Sequence, residues 1–395
     1  MIRIIDYSQE GDKNILTRDT KREPEIEASV LNILQEIREK GDEALRYFSS
    51  KFDGVEFEDY EISFDSLKEA YEKEDGTFIS AMQRAKENII KYHEKQKNTG
   101  YVISEEKGIV LGRRVMPLEK VGIYVPGGTA AYPSTVLMNA LPAKLAGVEE
   151  IIMVTPPDRQ GRVSSGVLAA AYIAGVDRVF KIGGAQAIGA LAYGTEKVPK
   201  VDKIVGPGNI YVATAKRLVY GVVDIDMIAG PSEIVIIADK KSKPTFVAAD
   251  LLSQAEHDIM SSSILITDSR EFAEEVAEEI ERQLTSLERE EMARKAIEGN
   301  GRIILVSNME EAVAISNKIA PEHLEICTED PFNLLGSVTH AGSIFLGSYS
   351  PEPLGDYMAG PNHTLPTSGT ARFSSPLSLE DFTKSSSFVY YTEEA

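Results

Sequence analysis

The sequence predicts an α/β protein, with two tandem domains on mainly parallel sheets behind an N-terminal helical region. Three observations carry this reading. The chain has 395 residues, more than one ordinary core accommodates. Within an N-terminal region and arm of residues 1–114, residues 1 to about 100 interleave charged and apolar residues at helical spacing and read mostly as helix. From Val115 onward, short apolar runs alternate with Gly/Pro turns and Ala-rich helices, the rhythm of strands joined by crossover helices.

Taken in order, residues 25–40 place Ile26, Val30, Ile33, Leu34 and Ile37 on one helix face. Residues 77–95 form a second amphipathic helix, in which His93, among Lys91, Glu94 and Lys95, reads as a surface histidine. The first α/β domain covers 115–232, with strands at 121–125, 151–154, 178–182 and 203–205. The second covers 233–370, with strands at 233–238, 263–267, 302–306, 324–328 and 343–346. The join falls at 230–232, and the shared rhythm hints at duplication without a residue-level repeat. After Gly360 the chain is rich in Pro, Ser, Thr and Gly and reads as loop, so 371–395 is a C-terminal loop. It ends on Thr392-Glu393-Glu394-Ala395, where a capping hydroxyl followed by carboxylates reads as a helix start.

Charge and composition narrow the function. The net charge is -20, and no basic stripe is present to neutralise phosphates, which excludes nucleic acid as a partner. No run of about 18 apolar residues exists, so no membrane span is expected. Residues 1–13 lack the basic start and apolar centre of a secretory signal, and the single cysteine, Cys327, allows no intrachain disulfide. A cytoplasmic protein is the simplest reading. Cys327 lies in an apolar strand with no basic neighbour, which suits a buried, inert thiol.

Three Gly-rich turns follow strands in the first α/β domain: Pro126-Gly127-Gly128-Thr129, Gly183-Gly184-Ala185-Gln186 and Gly206-Pro207-Gly208-Asn209. Each alone can be a connection. Three at strand ends favour a phosphate-bearing ligand, because glycine lets backbone N–H groups approach an anion beside a helix N-terminus. None forms G-x-G-x-x-G, so a dinucleotide would be held in another way. Tyr124, Gln186 and Asn209 supply polar or aromatic groups there.

The second domain concentrates acid–base and metal-binding residues. Residues 247–257 read as a helix carrying Gln254 and His257 three apart on one face, a spacing open to metal binding and equally to a surface or capping histidine. Glu322 and His323 are adjacent groups able to exchange protons once burial tunes them, or else the polar start of a helix after Pro321. Asp356 and His363 lie in a Gly/Pro-rich stretch, as a ligand and a substrate contact or as an Asx turn and a solvent-facing histidine. Three of the five histidines fall in these clusters; His340, before a strand, looks structural.

The motifs VGIYVPGG (121–128), GGAQAIGALAYGTE (183–196), VDKIVGPGN (201–209), AGPSE (229–233), DLLSQAEH (250–257), APEHLE (320–325) and GDYMAGPNHTLPT (355–367) closely resemble the histidinol dehydrogenase family. The match runs from about Val115 to the C-terminus. The resemblance implies two modified Rossmann-like domains related to aldehyde dehydrogenases, in a homodimer. It implies oxidation of L-histidinol through L-histidinal to L-histidine with two NAD+. Glu322 would activate water for the aldehyde step, and His323 would take the alcohol proton. Gln254, His257 and Asp356 would bind zinc and, through it, substrate; Ser232, His323 and His363 would contact substrate; Tyr124, Gln186 and Asn209 would line the NAD site. The resemblance also implies a further C-terminal segment bearing one more zinc ligand, so a chain cut short, with weaker zinc binding and low activity, is expected. Two other readings are a zinc hydrolase using Glu322, against which the Gly-rich turns speak, and a non-catalytic scaffold, against which the Glu322-His323 pair speaks.

Overall fold

The computed structural model describes residues 1–15, 23–56, 59–127 and 131–395; Gly128 and Thr129 of the first Gly-rich turn lie outside them. Contacts divide the chain into two units. The larger comprises Arg22–Ile228, Met358–Thr364 and Leu377–Ala395; the smaller comprises Met1–Lys21, Ala229–Tyr357 and Leu365–Pro376.

In the larger unit, a six-stranded sheet runs in the spatial order Glu61–Ile62, Arg178–Phe180, Glu150–Val154, Lys120–Tyr124, Lys203–Val205, Asp224–Ile225. All pairs are parallel except the edge pair of Glu61–Ile62 with Arg178–Phe180. The central strands are buried on both faces, which is why they read as continuous apolar runs. The helix Pro24–Lys40 starts on a proline, carries Glu25 and Glu27 in its first turn and Arg38 and Lys40 in its last, and ends at Gly41. Charge and dipole therefore agree at both ends. Its face of Val30, Ile33, Leu34 and Ile37 packs in one core cluster with the helix Gly184–Tyr193.

The smaller unit holds an all-parallel sheet in the order Arg3–Asp6, Arg302–Leu305, Ser262–Thr267, Glu233–Ala238, His323–Cys327, Ser343–Leu346. Apart from the edge strands Glu61–Ile62 and Arg3–Asp6, both sheets have the same order relative to the chain. The first strand of each series is central, with the second and third on one side and the fourth and fifth on the other. The point where the order reverses lies beside Lys120–Tyr124 in one sheet and beside Glu233–Ala238 in the other. This gives the common rhythm of the two halves a structural counterpart.

Several expectations need correction. The N-terminal region is mostly helical but also carries strands the sequence did not suggest: Arg3–Asp6 completes the smaller unit's sheet, and Tyr101–Ile103 pairs antiparallel with Ile109–Pro117. Strands this short show no periodicity above the background. The C-terminal stretch is not all loop, since Thr383–Tyr391 pairs with Ile109–Pro117 along its whole length. That three-stranded sheet is largely exposed, so Ser385, Ser386 and Ser387 sit in a strand without an apolar alternation to betray it. Thr392 begins a turn rather than a helix, with Ala395 N–H donating to its carbonyl at 3.2 Å. His93 is buried: its helix turns it inward, Nδ1 lies 2.7 Å from Gln96 Oε1, and burial lowers its pKa.

One polar network holds the Gly206 turn. Lys216, on the helix Ile210–Val219, pairs with Asp226, and both side chains are buried. Lys216 Nζ also donates to the Gly206 carbonyl at 2.8 Å, while Asp226 Oδ2 accepts from Gly206 N–H at 2.8 Å. Gly206 has φ +109, and a Cβ there would lie 2.2 Å from the Tyr124 carbonyl oxygen, so no other residue fits. Lys216→Met, which leaves a buried carboxylate unpaired, is expected to destabilise this unit by about 3–5 kcal/mol. Denaturant unfolding checks it, and an unchanged midpoint would show that Asp226 finds another partner.

Candidate active site

In the larger unit, the reversal point of the sheet opens into a cavity of about 520 Å³ at the carboxyl ends of the strands, where open parallel sheets bind ligands. Its walls include Tyr124, Gly127, Gly184, Gln186, Asn209 and Tyr211, from all three Gly-rich turns and the helices behind them. Tyr124 ends its strand with a buried ring, and its hydroxyl accepts from Gly184 N–H at 3.1 Å. Burial pushes this phenol up to about 12, so it stays neutral. Asn209 caps the helix Ile210–Val219, its side-chain oxygen accepting from Tyr211 and Val212 N–H groups at 3.1 and 3.2 Å. That oxygen is committed, and only the amide NH₂ remains for a ligand.

In the smaller unit, Glu322 and His323 occupy the amino end of the strand His323–Cys327, beside the amino end of Glu233–Ala238. Both are buried. Glu322 Oε2 accepts from Glu233 N–H at 3.0 Å and lies 3.6 Å from His323 Nδ1. Burial pushes the Glu322 carboxyl up to about 7, against the opposing pull of His323. Burial alone would lower the His323 imidazolium, but Glu322, Asp356 and Glu352 outweigh it and raise the group to about 10. Nε2 lies 3.5 Å from Asp356 and 4.0 Å from Glu352, and Nδ1 donates to the Glu233 carbonyl at 3.1 Å.

Gln254 sits in the last turn of the helix Pro244–Ala255, with Nε2 3.4 Å from His323 Nδ1. The helix is shorter than the sequence suggested. His257 lies two residues beyond its end, in the closing turn, where its N–H donates to the Gln254 carbonyl at 3.3 Å. Desolvation lowers the His257 pKa, keeping its imidazole neutral and able to ligate. Asp356 belongs to a π-helical turn, Gly355–Ala359, rather than an irregular loop. Gln254 Oε1 is buried without a hydrogen-bond partner among the described residues. An orphaned amide oxygen near a neutral imidazole and a carboxylate fits a divalent cation. Ligand atoms of His323, Glu352 and Asp356 also lie within 4.8 Å of one another.

Ser232 precedes Glu233, and its carbonyl accepts from Ser262 N–H at 3.0 Å. His363 is carried by the larger unit, between Asn362, which donates to the Met138 carbonyl at 2.6 Å, and Thr364. Cys327 is buried and its thiol is pushed up, first by burial, so it stays protonated as expected.

Sequence reasoning missed three carboxylates behind His323. Glu352 accepts from Ser253 Oγ at 3.1 Å, and its N–H donates to Glu325 Oε1 at 2.8 Å. Burial raises Glu352 to about 8 and Asp250 to about 6, and lifts Glu325 well above the carboxylate range. Two carried a signal: Glu325 interrupts an apolar strand and Asp250 an apolar helix, where a charge is unexpected without a purpose.

A family profile described as histidinol dehydrogenase matches residues 16–395. The histidinol dehydrogenase of Clostridium acetobutylicum is 58% identical, covering 100% of this chain and 93% of that protein. That of Bacillus cereus is 59% identical over 94% of this chain and 87% of its own length. Among solved structures, histidinol dehydrogenase from Elizabethkingia anophelis superposes with TM-score 0.95 at 40% identity, covering 100% of this chain and 91% of that one. An acetylating aldehyde dehydrogenase from Geobacillus thermoglucosidasius, at TM-score 0.53 and 15% identity over 94% of this chain and 98% of that one, shares the fold alone.

The raised Glu322 carboxyl makes a signed prediction. Its folded pKa exceeds its ordinary 4.5, so its contribution to stability is fully present below about 4.5 and is lost as pH rises to about 7. Glu322→Gln removes that titration. The variant's melting temperature relative to the parent is expected to climb across this window; a flat difference would mean that the carboxyl titrates normally.

Proposed function

The chain belongs to the histidinol dehydrogenase family, an NAD-dependent oxidoreductase acting on histidinol, and from that premise we propose how its residues divide the work. The observation that carries the proposal is the buried Glu322-His323 pair, 3.6 Å apart, with the acid lifted to about 7. Oxidising a primary alcohol to an aldehyde releases one hydride and one proton. Oxidising the aldehyde onward adds water and releases a second hydride and two protons. NAD+, when bound, takes up hydride. His323 is assigned the alcohol proton and Glu322 the proton of the attacking water. One Glu322 oxygen is committed to Glu233 N–H, which leaves the other for that water. His323 is held high only by surrounding carboxylates, so each negative charge that a bound ligand neutralises brings it toward the range where it accepts a proton.

Gln254, His257 and Asp356 are assigned as zinc ligands. The alternative trio of His323, Glu352 and Asp356 would occupy the imidazole that proton transfer needs, and Glu352 already accepts from Ser253. Zinc, when bound, supplies a positive charge that orients the imidazole and amine of the substrate. Ser232 and His363 are assigned to substrate, and Tyr124, Gln186 and Asn209 to NAD+ in the larger unit's cavity. A homodimer is supported by an exposed sheet face on which Ile103, Leu111 and Val389 lie in register. No helix among the described residues is long and apolar enough to cross a membrane, in keeping with a cytoplasmic enzyme.

Glu322→Gln is expected to lower aldehyde oxidation by about 10²–10⁴-fold while histidinol is still converted to the aldehyde. Single-turnover assays started from histidinol and from histidinal separate the steps. In the parent, aldehyde oxidation should rise with pH through about 7 as Glu322 ionises, and the variant should lose that limb. Equal loss in both steps would overturn the assignment. Asp356→Ala should weaken zinc binding at least about tenfold, read as metal content after dialysis against a chelator; undiminished zinc would remove Asp356 from the ligand set.

A further inference from the structure

The larger unit's cavity contains a carboxylate that the proposed assignments do not use. Asp53, the last residue of the helix Asp42–Asp53, lines the cavity together with Phe52 and residues of the Gly-rich turns. Its Oδ2 is buried and has no hydrogen-bond partner among the described residues. A buried oxygen of this kind costs stability unless something donates to it. Burial raises the carboxyl to about 6, so near neutral pH it is largely an anion, and its field reaches the Tyr124 phenol.

The rest of the cavity sharpens the point. Among the described lining residues there is no lysine or arginine. Phosphates entering it would depend on backbone N–H groups at the starts of the helices Gly184–Tyr193 and Ile210–Val219. Two phosphates beside a carboxylate would repel it, so Asp53 suits a neutral donor on the dinucleotide. A vicinal diol offers two O–H donors to one carboxylate. Phe52, half-exposed and stacked on Phe48 at 5.7 Å, offers a ring face beside Asp53 for a base. Both ends of the dinucleotide carry a ring and a diol, but only the adenosine diol bears the 2′-phosphate of the counterpart cofactor, and no described lining residue is a cation to receive that phosphate.

We propose that Asp53 accepts hydrogen bonds from the adenosine ribose diol of the dinucleotide and thereby selects NAD+ over its 2′-phosphorylated counterpart. This rests on the assignment of the cavity to NAD+ and adds a specificity-determining residue to it. A 2′-phosphate would remove one donor, bring negative charge against Asp53, and meet no lining cation.

The test is calorimetric titration of the whole chain with NAD+, 2′-deoxy-NAD+, NADP+ and the hypoxanthine analogue of NAD+. The parent is expected to bind 2′-deoxy-NAD+ about 10- to 100-fold more weakly than NAD+, and NADP+ more weakly still. In Asp53→Asn and Asp53→Ala, NAD+ should weaken by a similar factor, the gap between NAD+ and 2′-deoxy-NAD+ should close, and the gap to NADP+ should narrow. A role confined to folding would leave the ratios between analogues unchanged, and that result overturns the proposal. It is also overturned if the Asp53 variants close the gap between NAD+ and its hypoxanthine analogue instead, which would put the carboxylate on the base. Gln186→Ala separates the two levels. If it weakens NAD+ while the Asp53 variants bind as the parent does, the Asp53 assignment alone falls. If all three variants bind as the parent does, the cavity is not the nucleotide site.

Discussion

Placing an acid and an imidazole side by side, out of water, at the start of one central strand is the constraint around which the smaller unit is arranged. The strand His323–Cys327 is hydrogen-bonded on both sides, to Glu233–Ala238 and to Ser343–Leu346. A slip of one residue would turn every side chain to the other face, so both ladders together fix where His323 points. Burial acts against both charges, and each charge relieves the other: the carboxylate raises the imidazolium, and the imidazolium lowers the carboxyl. The outcome is a carboxyl that changes state near neutral pH rather than one permanently on either side. The carboxylates behind the pair set the imidazole's position on that scale. Glu322 and Asp356 act most strongly on His323 and Glu352 least, and Glu352 is held in place by Ser253 Oγ and by its own amide on Glu325.

The larger unit solves a different problem, which is to present backbone rather than charge. Its cavity is shaped by turns in which the chain passes very close to itself, as at Gly206 against the Tyr124 carbonyl. Close passages need holding. Lys216 and Asp226 do so by clasping both the N–H and the carbonyl of Gly206. The lysine is buried and paired with Asp226, and no described residue lining the cavity is a lysine or arginine. The helix starts are left to provide the favourable potential. A cradle of backbone dipoles is indifferent to which anion it receives, so discrimination must come from side chains at the rim, such as Asp53 and Phe52.

How far the sequence could be read depended on whether a feature was local. Apolar runs of five or six residues, as in EIVIIA, marked central strands because burial on both faces demands them. The short strands Arg3–Asp6 and Tyr101–Ile103 carry no such demand: the first pairs with Arg302–Leu305, far along the chain, and the second with the strand that follows it, on a largely exposed sheet. The candidate site behaved in the same way. Glu322 and His323 were legible because they are adjacent. Gln254 and His257 were picked out by their i, i+3 spacing, and although the helix stops at Ala255 the turn beyond it keeps them linked, His257 N–H donating to the Gln254 carbonyl at 3.3 Å. Glu352 and Asp53 were invisible because nothing near them in sequence distinguishes a buried carboxylate from a surface one. Only the fold places Glu352 near His323 and Asp53 in the cavity. The His93 misreading has the same root: charged neighbours on a helix say nothing about the one position that faces inward.

The two sheets share a strand order but place their chemistry at opposite ends, and electrostatics gives a reason. In parallel sheets with crossover helices, the carboxyl ends of the strands meet helix N-termini, and the amino ends meet helix C-termini. The carboxyl end is therefore positive in potential and suits a ligand bearing phosphates, which is where the larger unit has its cavity. The amino end is negative in potential and suits cations. There the smaller unit sets Glu322 and His323, with Gln254 and His257 at the C-terminal end of the helix Pro244–Ala255. Imidazolium and a divalent metal ion are both favoured by that field, and the surrounding carboxylates deepen it. The Glu322 carboxyl gains nothing from the helix terminus, and burial is what raises it. The fold thus offers two ready-made potentials of opposite sign, and the sequence departs from the usual use of such sheets only by using both.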